Sequence, residues 1–148
     1  MKKADGWRLP LLGFALLAGA ASLTAPRIAV AEPHSDYMLN CQGCHGPAGE
    51  GVPGNVPSFR GQVAKFLSVP GGREYLLRVP GTSQSELDDA HTAVLMNWLL
   101  REFDPQHVPA DFVPFTIEEV SRVRRPALTD VARVRARLMA EIAARPDR

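Results

Sequence analysis

Cysteine is nearly absent from this chain, with two in 148 residues. That excludes a framework of stapling disulfides, so whatever the thiols do happens at one place. Charge of one sign is not in excess either: 17 basic side chains stand against 16 acidic ones. A chain so balanced has no broad basic face for a nucleic-acid partner. No segment alternates apolar and polar residues in the manner of a strand, and no unit repeats, so neither a sheet nor a solenoid is expected. The single long apolar run, from Leu9 to about Leu23, is interrupted by Pro10 and Gly13. It is short for a bilayer, which takes roughly 20 apolar residues.

That run has positive residues before it, Lys2, Lys3 and Arg8, and the small-residue site Ala29-Val30-Ala31 after it. This is the layout of a cleaved secretory signal. Residues 1–31 are therefore expected to be a signal peptide, with Arg27 its one poorly fitting residue and an uncleaved anchor the alternative. Loss of Lys2, Lys3, Arg8, Arg27 and Asp5 with it leaves 13 basic and 15 acidic side chains. The expected product is exported, periplasmic, slightly acidic and without a stable membrane span.

Pro and Gly cut the remaining chain into short pieces. A brief helix is expected over residues 35–40, where Ser35 or Asp36 can cap the start. Seven Gly and Pro residues between Gly46 and Pro57 make that stretch a loop. Short helices are expected from about Gly61 to Leu67 and from Gly72 to Arg78, the latter stopped by Pro80-Gly81. Leu87, His91, Val94, Leu95, Trp98 and Leu99 then recur at helical spacing, which predicts a helix from Glu86 to Phe103. Beyond a Pro-punctuated link, Thr116-Ile117-Glu118-Glu119 matches a capping box. A last helix over 129–144 places Val131, Val134, Leu138 and Ile142 on one face.

The two cysteines sit together in Cys41-Gln42-Gly43-Cys44-His45. Two thiols in one helical turn can add to the two vinyl groups on one porphyrin edge, and the next residue then offers an imidazole to the iron. This is the c-type haem attachment pattern. Three other readings compete. A thioredoxin-like redox pair needs a strand-helix setting. A structural zinc site needs further ligands, for which only His34, His91 and His107 remain. A simple disulfide leaves His45 without a task. Because c-type attachment takes place outside the cytoplasm, the export signal supports the haem reading.

From these residues the chain resembles the monohaem class I cytochromes c over most of residues 35–103. Tyr37, four positions before Cys41, resembles the aromatic on that family's first helix. Leu95 and Trp98 resemble the Leu and aromatic of the last helix that pack against it, and Gly46, Gly49 and Gly51 the glycine-rich turn after the histidine. Pro57, 12 positions after His45, stands where the family proline carbonyl accepts the imidazole Nδ1 proton. The resemblance implies an all-α, cytochrome c-like bundle of short helices around one covalent haem c, held by Cys41, Cys44, His45 and Pro57. It also implies an electron carrier, not an enzyme, with redox proteins as donor and acceptor, a periplasmic dehydrogenase among the candidates.

The departure from the family lies at the sixth iron ligand. The family supplies a Met from the loop before its last helix, but this chain has neither Met nor His from Gly46 to Asp89. Gln84 stands where the Met would be, and Met96 and His91 are the remaining candidates, with His107, Met38 and His34 more remote. An open sixth position implies the alternative function of binding a small gas or peroxide. Arg73, Arg78 and Arg101 are candidates for the haem propionates. The expected domains are 32–104 for the haem unit and 105–148 for a helical C-terminal extension. Its basic residues, among them Arg122, Arg124, Arg125, Arg133, Arg135 and Arg137, form either a solvated face or a docking surface for an acidic partner or a larger complex, in which case the chain is a haem-bearing accessory subunit of a periplasmic dehydrogenase.

Overall fold

The computed structural model describes residues 32–145, and the signal-peptide expectation for 1–31 lies outside them. Among the described residues seven α-helices follow one another: α1 Pro33–Asn40, α2 Gln42–His45, α3 Gly72–Arg78, α4 Pro80–Ser83, α5 Asp89–Phe103, α6 Ile117–Val123 and α7 Val131–Ala143. A 3-10 turn over Ala64–Ser68 precedes α3, and another over Pro105–His107 follows α5. Among the described residues the only extended pairing is one isolated bridge between Val52 and Val56. The fold is all-α over the described residues. No described helix is long and apolar enough to cross a membrane.

The helix α5 buries Thr92, Leu95, Met96, Leu99 and Leu100, positions three and four apart that make one stripe. It begins at Asp89, three residues later than its periodicity predicts, because the Asp88 carboxylate accepts the His91 N–H at 2.7 Å and caps it there. Across from it, α1 buries Tyr37 in an aromatic cluster with Phe103, Trp98 and Phe59 at ring separations of 4.9, 5.7 and 6.4 Å. Proline at the first turn starts α1 at Pro33, ahead of the expected Ser35.

The segment expected to be helical over 61–67 forms the 3-10 turn at 64–68 instead. Its start is held by a buried carboxylate: Asp104, fully shielded at the end of α5, accepts the Ala64 N–H at 2.8 Å. It ends at Val69-Pro70-Gly71, after which α3 runs over the expected residues. Gly72 opens α3 in a space no side chain fits, since a Cβ there would lie 1.9 Å from the Phe66 carbonyl oxygen. The small helix α4 at Pro80–Ser83 has no counterpart in the sequence pattern; Pro80 is at its first position, where proline suits a helix start.

Polar ties on several elements hold residues 105–145 to this frame. Asn97 on α5 brackets Phe115, accepting its N–H at 2.8 Å and donating to its carbonyl at 2.9 Å. Arg73 on α3 forms a two-pronged ion pair with Glu119 and lies 4.0 Å over the Phe115 ring. Arg78 donates to the Pro126 carbonyl at 2.9 Å and accepts from Leu128 N–H through its own carbonyl at 2.8 Å. The capping box at α6 is formed, with the Thr116 hydroxyl accepting the Glu119 N–H at 3.2 Å. Leu138 on α7 and Val120 on α6 are fully buried.

Candidate functional site

Cys41, Cys44 and His45 come together because Cys41 caps the end of α1 and the start of α2, and the single turn of α2 then carries Cys44 and His45. Both thiols are free. Burial pushes the Cys41 thiol up to about 11, with Asp36 and Cys44 adding to the effect, so it is protonated at neutral pH.

The glycine-rich loop then brings Pro57 under the histidine. The Gly51 N–H donates back to the His45 carbonyl at 2.7 Å, and the Phe59 N–H to the Gly49 carbonyl at 2.8 Å. Gly49 has φ +69°, and a Cβ on it would strike the Phe103 ring at 2.8 Å, so the close turn needs glycine. The loop places the Pro57 carbonyl 3.1 Å from His45 Nδ1. A carbonyl only accepts, so the proton sits on Nδ1 and Nε2 keeps its lone pair. Phe59 stacks on the imidazole, its ring 3.8 Å from that of His45 and nearly parallel at 15°. Burial lowers the His45 pKa, against the opposing pull of the Pro57 carbonyl. A neutral, oriented imidazole results.

All three motif residues and Pro57 line one cavity of about 270 Å³. Its remaining wall is chiefly apolar: Val63 and Phe66 from the 3-10 segment, Leu76 from α3, and Leu95, Met96 and Leu99 from α5. The segment after α3 contributes Val79, Gly81 and Thr82 of α4, and Ser85. Helix α7 reaches the same cavity through Val131 and Arg135, so the C-terminal extension is part of the pocket as well as its cover. Tyr75 completes this side, its pKa raised by burial and opposed by the nearby Arg135 charge.

The candidates for the sixth ligand are dispersed. Gln84 is exposed and off the cavity wall. His91 Nδ1 is 2.8 Å from the Asp36 carboxylate, which raises its pKa, chiefly through that hydrogen bond, and it does not line the cavity. His107 is paired with buried Asp104, His34 lies edge-on to Trp98, and Met38 is half exposed. Met96 alone of these is on the wall. The three arginines considered for propionates have other partners: Glu119 and Val113 for Arg73, Glu74 and Pro126 for Arg78, the Asn97 carbonyl for Arg101.

Sequence reasoning missed Phe59, Tyr75 and the separate roles of two arginines in the basic cluster. Arg124 is 1% exposed, with its guanidinium folded onto carbonyls of the loop after α3. Arg135 has no hydrogen-bond or carboxylate partner among the described residues and lies 5.5 Å over the Phe66 ring. Nothing local in the sequence separates these two from the solvated Arg133 and Arg137.

The donor set and its surroundings define a class. Two free thiols one turn apart, an oriented neutral imidazole and an apolar slot are what a covalently attached haem requires, and no three His, Cys, Asp or Glu residues cluster as a metal-ion site among the described residues. No family model matches the chain. It is 33% identical over 137 residues to a cytochrome c-552 of Thermus thermophilus, an alignment covering 80% of this chain and 88% of the relative. A second Thermus thermophilus cytochrome c-552 is 34% identical over 107 residues, covering 60% of this chain and 82% of that protein. The chain belongs to the c-type cytochromes.

Proposed function

We propose that the chain carries one haem c, bound covalently through Cys41 and Cys44 with His45 as the proximal iron ligand, and that it passes single electrons between redox proteins in the periplasm. The observation that carries this reading is the placement of both thiols and the Pro57-oriented imidazole on the wall of one apolar cavity. With only one cysteine pair in the chain, one attachment site is available.

When bound, the haem supplies a one-electron ferric-ferrous couple. The chain's residues set its surroundings. The Pro57 carbonyl holds the Nδ1 proton of His45, which fixes the ring and raises the basicity of Nε2. The stripe on α5 and the Val63, Phe66 and Leu76 side chains exclude water. Arg135 and Tyr75 are the cavity residues suited to hold the two haem carboxylates, Arg135 by charge and Tyr75 by its hydroxyl. The export reading rests on the layout from Lys2 to Ala31 and on the extracytoplasmic site of c-type attachment. Partners of such carriers meet through weak interfaces, below about 1,200 Å² in total.

The test is retention. After maturation with c-type assembly factors, haem stays with the polypeptide in acidified organic solvent, and Cys44→Ala weakens or abolishes that retention. Complete release from the unaltered chain contradicts the reading.

A further inference from the structure

We infer that the segment from Val79 to Leu87, α4 included, is a pinned wall that contributes no iron ligand, leaving the sixth iron position open to a small uncharged molecule. This rests on the haem reading above. The pin is Arg124. From a fully buried position on the C-terminal side of α6 it donates to the carbonyls of Thr82, Ser85 and Leu87 at 3.1, 2.7 and 2.7 Å, and to the Ser85 hydroxyl at 2.9 Å. It also reaches the Asp89 carboxylate at 3.3 Å. In return, the Ser83 hydroxyl donates to the Arg124 carbonyl. A guanidinium bonded to three successive parts of one loop fixes its path, because releasing any one carbonyl leaves a buried donor unpaired.

That path turns Thr82 and Ser85 toward the cavity and Gln84 to solvent. Hydroxyls and a glycine are feeble iron ligands, so the wall this loop offers is both fixed and inert. The other imidazoles are held elsewhere, Met38 is half exposed and Met139 packs against the core off the cavity wall; the one exception, Met96, belongs to the buried stripe in the interior of α5 between Leu95 and Leu99. Carrying its sulfur farther from the wall means shifting a helix packed on one side against α1 and on another against α6. The mostly apolar lining favours an uncharged ligand over an anion.

The probe is carbon monoxide added to the ferrous holoprotein, read by the Soret shift, with the ferric spectrum recorded alongside. The unaltered protein is expected to take up carbon monoxide fully and fast, and its ferric form to lack the far-red sulfur-to-iron band. Thr82→Met, on the cavity wall, is expected to gain that band and lose fast uptake, whereas Gln84→Met, pointing outward, is expected to change neither. A holoprotein that shows the band and loses it in Met96→Leu overturns the inference, as does failure to bind carbon monoxide or a band gained in Gln84→Met. Each of those results leaves covalent attachment standing; a chain without covalent haem overturns both readings.

Discussion

At His45, local and distant constraints act on one side chain. The position next to Cys44 is set by sequence, the ring orientation by a carbonyl 12 residues on, and the stacking by Phe59. The first was legible in the motif itself, and the second only through the family resemblance that singled out Pro57. Arg135 is the contrary case: its place on the cavity depends on α7 folding back onto residues 66–75, which no local pattern reports. A positive charge at the wall favours the more electron-rich reduced state. Arg135→Leu is therefore expected to lower the reduction potential of the holoprotein, with Arg135→Lys retaining most of it, as measured by redox titration. An unchanged potential in the leucine variant would put Arg135 outside the haem's field.

Among the elements, α5 was the most legible because its buried positions repeat at helical spacing, and only its start moved, to where Asp88 caps it. The 64–68 segment and α4 were not, since a buried Asp104 and the Arg124 contacts decide them from far along the chain. Leu99→Ala in the middle of the stripe is expected to cost about 2–5 kcal/mol in denaturant unfolding. Gly72→Ala should also destabilise strongly, since its Cβ meets backbone and not a flexible side chain.

The contact between α1 and α5 carries a pH dependence. The Asp36 carboxylate raises the His91 pKa in the folded chain, so folding is favoured by the protonated form. That contribution is complete below the unfolded value near 6.5 and is lost as the pH rises through the higher folded value. Unfolding of the unaltered chain and of His91→Gln should therefore differ more at about pH 5 than at about pH 9. An equal difference at both would remove the ion pair from the account.

For the molecule as a whole, the all-α class followed from the absence of strand patterning, and the haem reading from five consecutive residues. What stayed hidden is how far residues 105–145 enter the core. Their amphipathic pattern allowed either an outer cover or a partner surface, while Asn97, Arg73 and Arg78 bind them to α5 and α3. Truncation after Pro114 removes buried Phe115, Val120, Arg124 and Leu138. It is expected to leave haem attachment at Cys41 and Cys44 intact but to lower the unfolding temperature sharply; a truncated protein as stable as the full chain would make the extension peripheral.

Mass spectrometry of the denatured, matured chain reads the single covalent haem at Cys41 and Cys44 directly. The expected result is a polypeptide beginning at Glu32 whose mass is raised by one haem, with the added mass on the peptide containing Cys41 to His45. A matured chain without added mass, with both thiols open to alkylation, would contradict it.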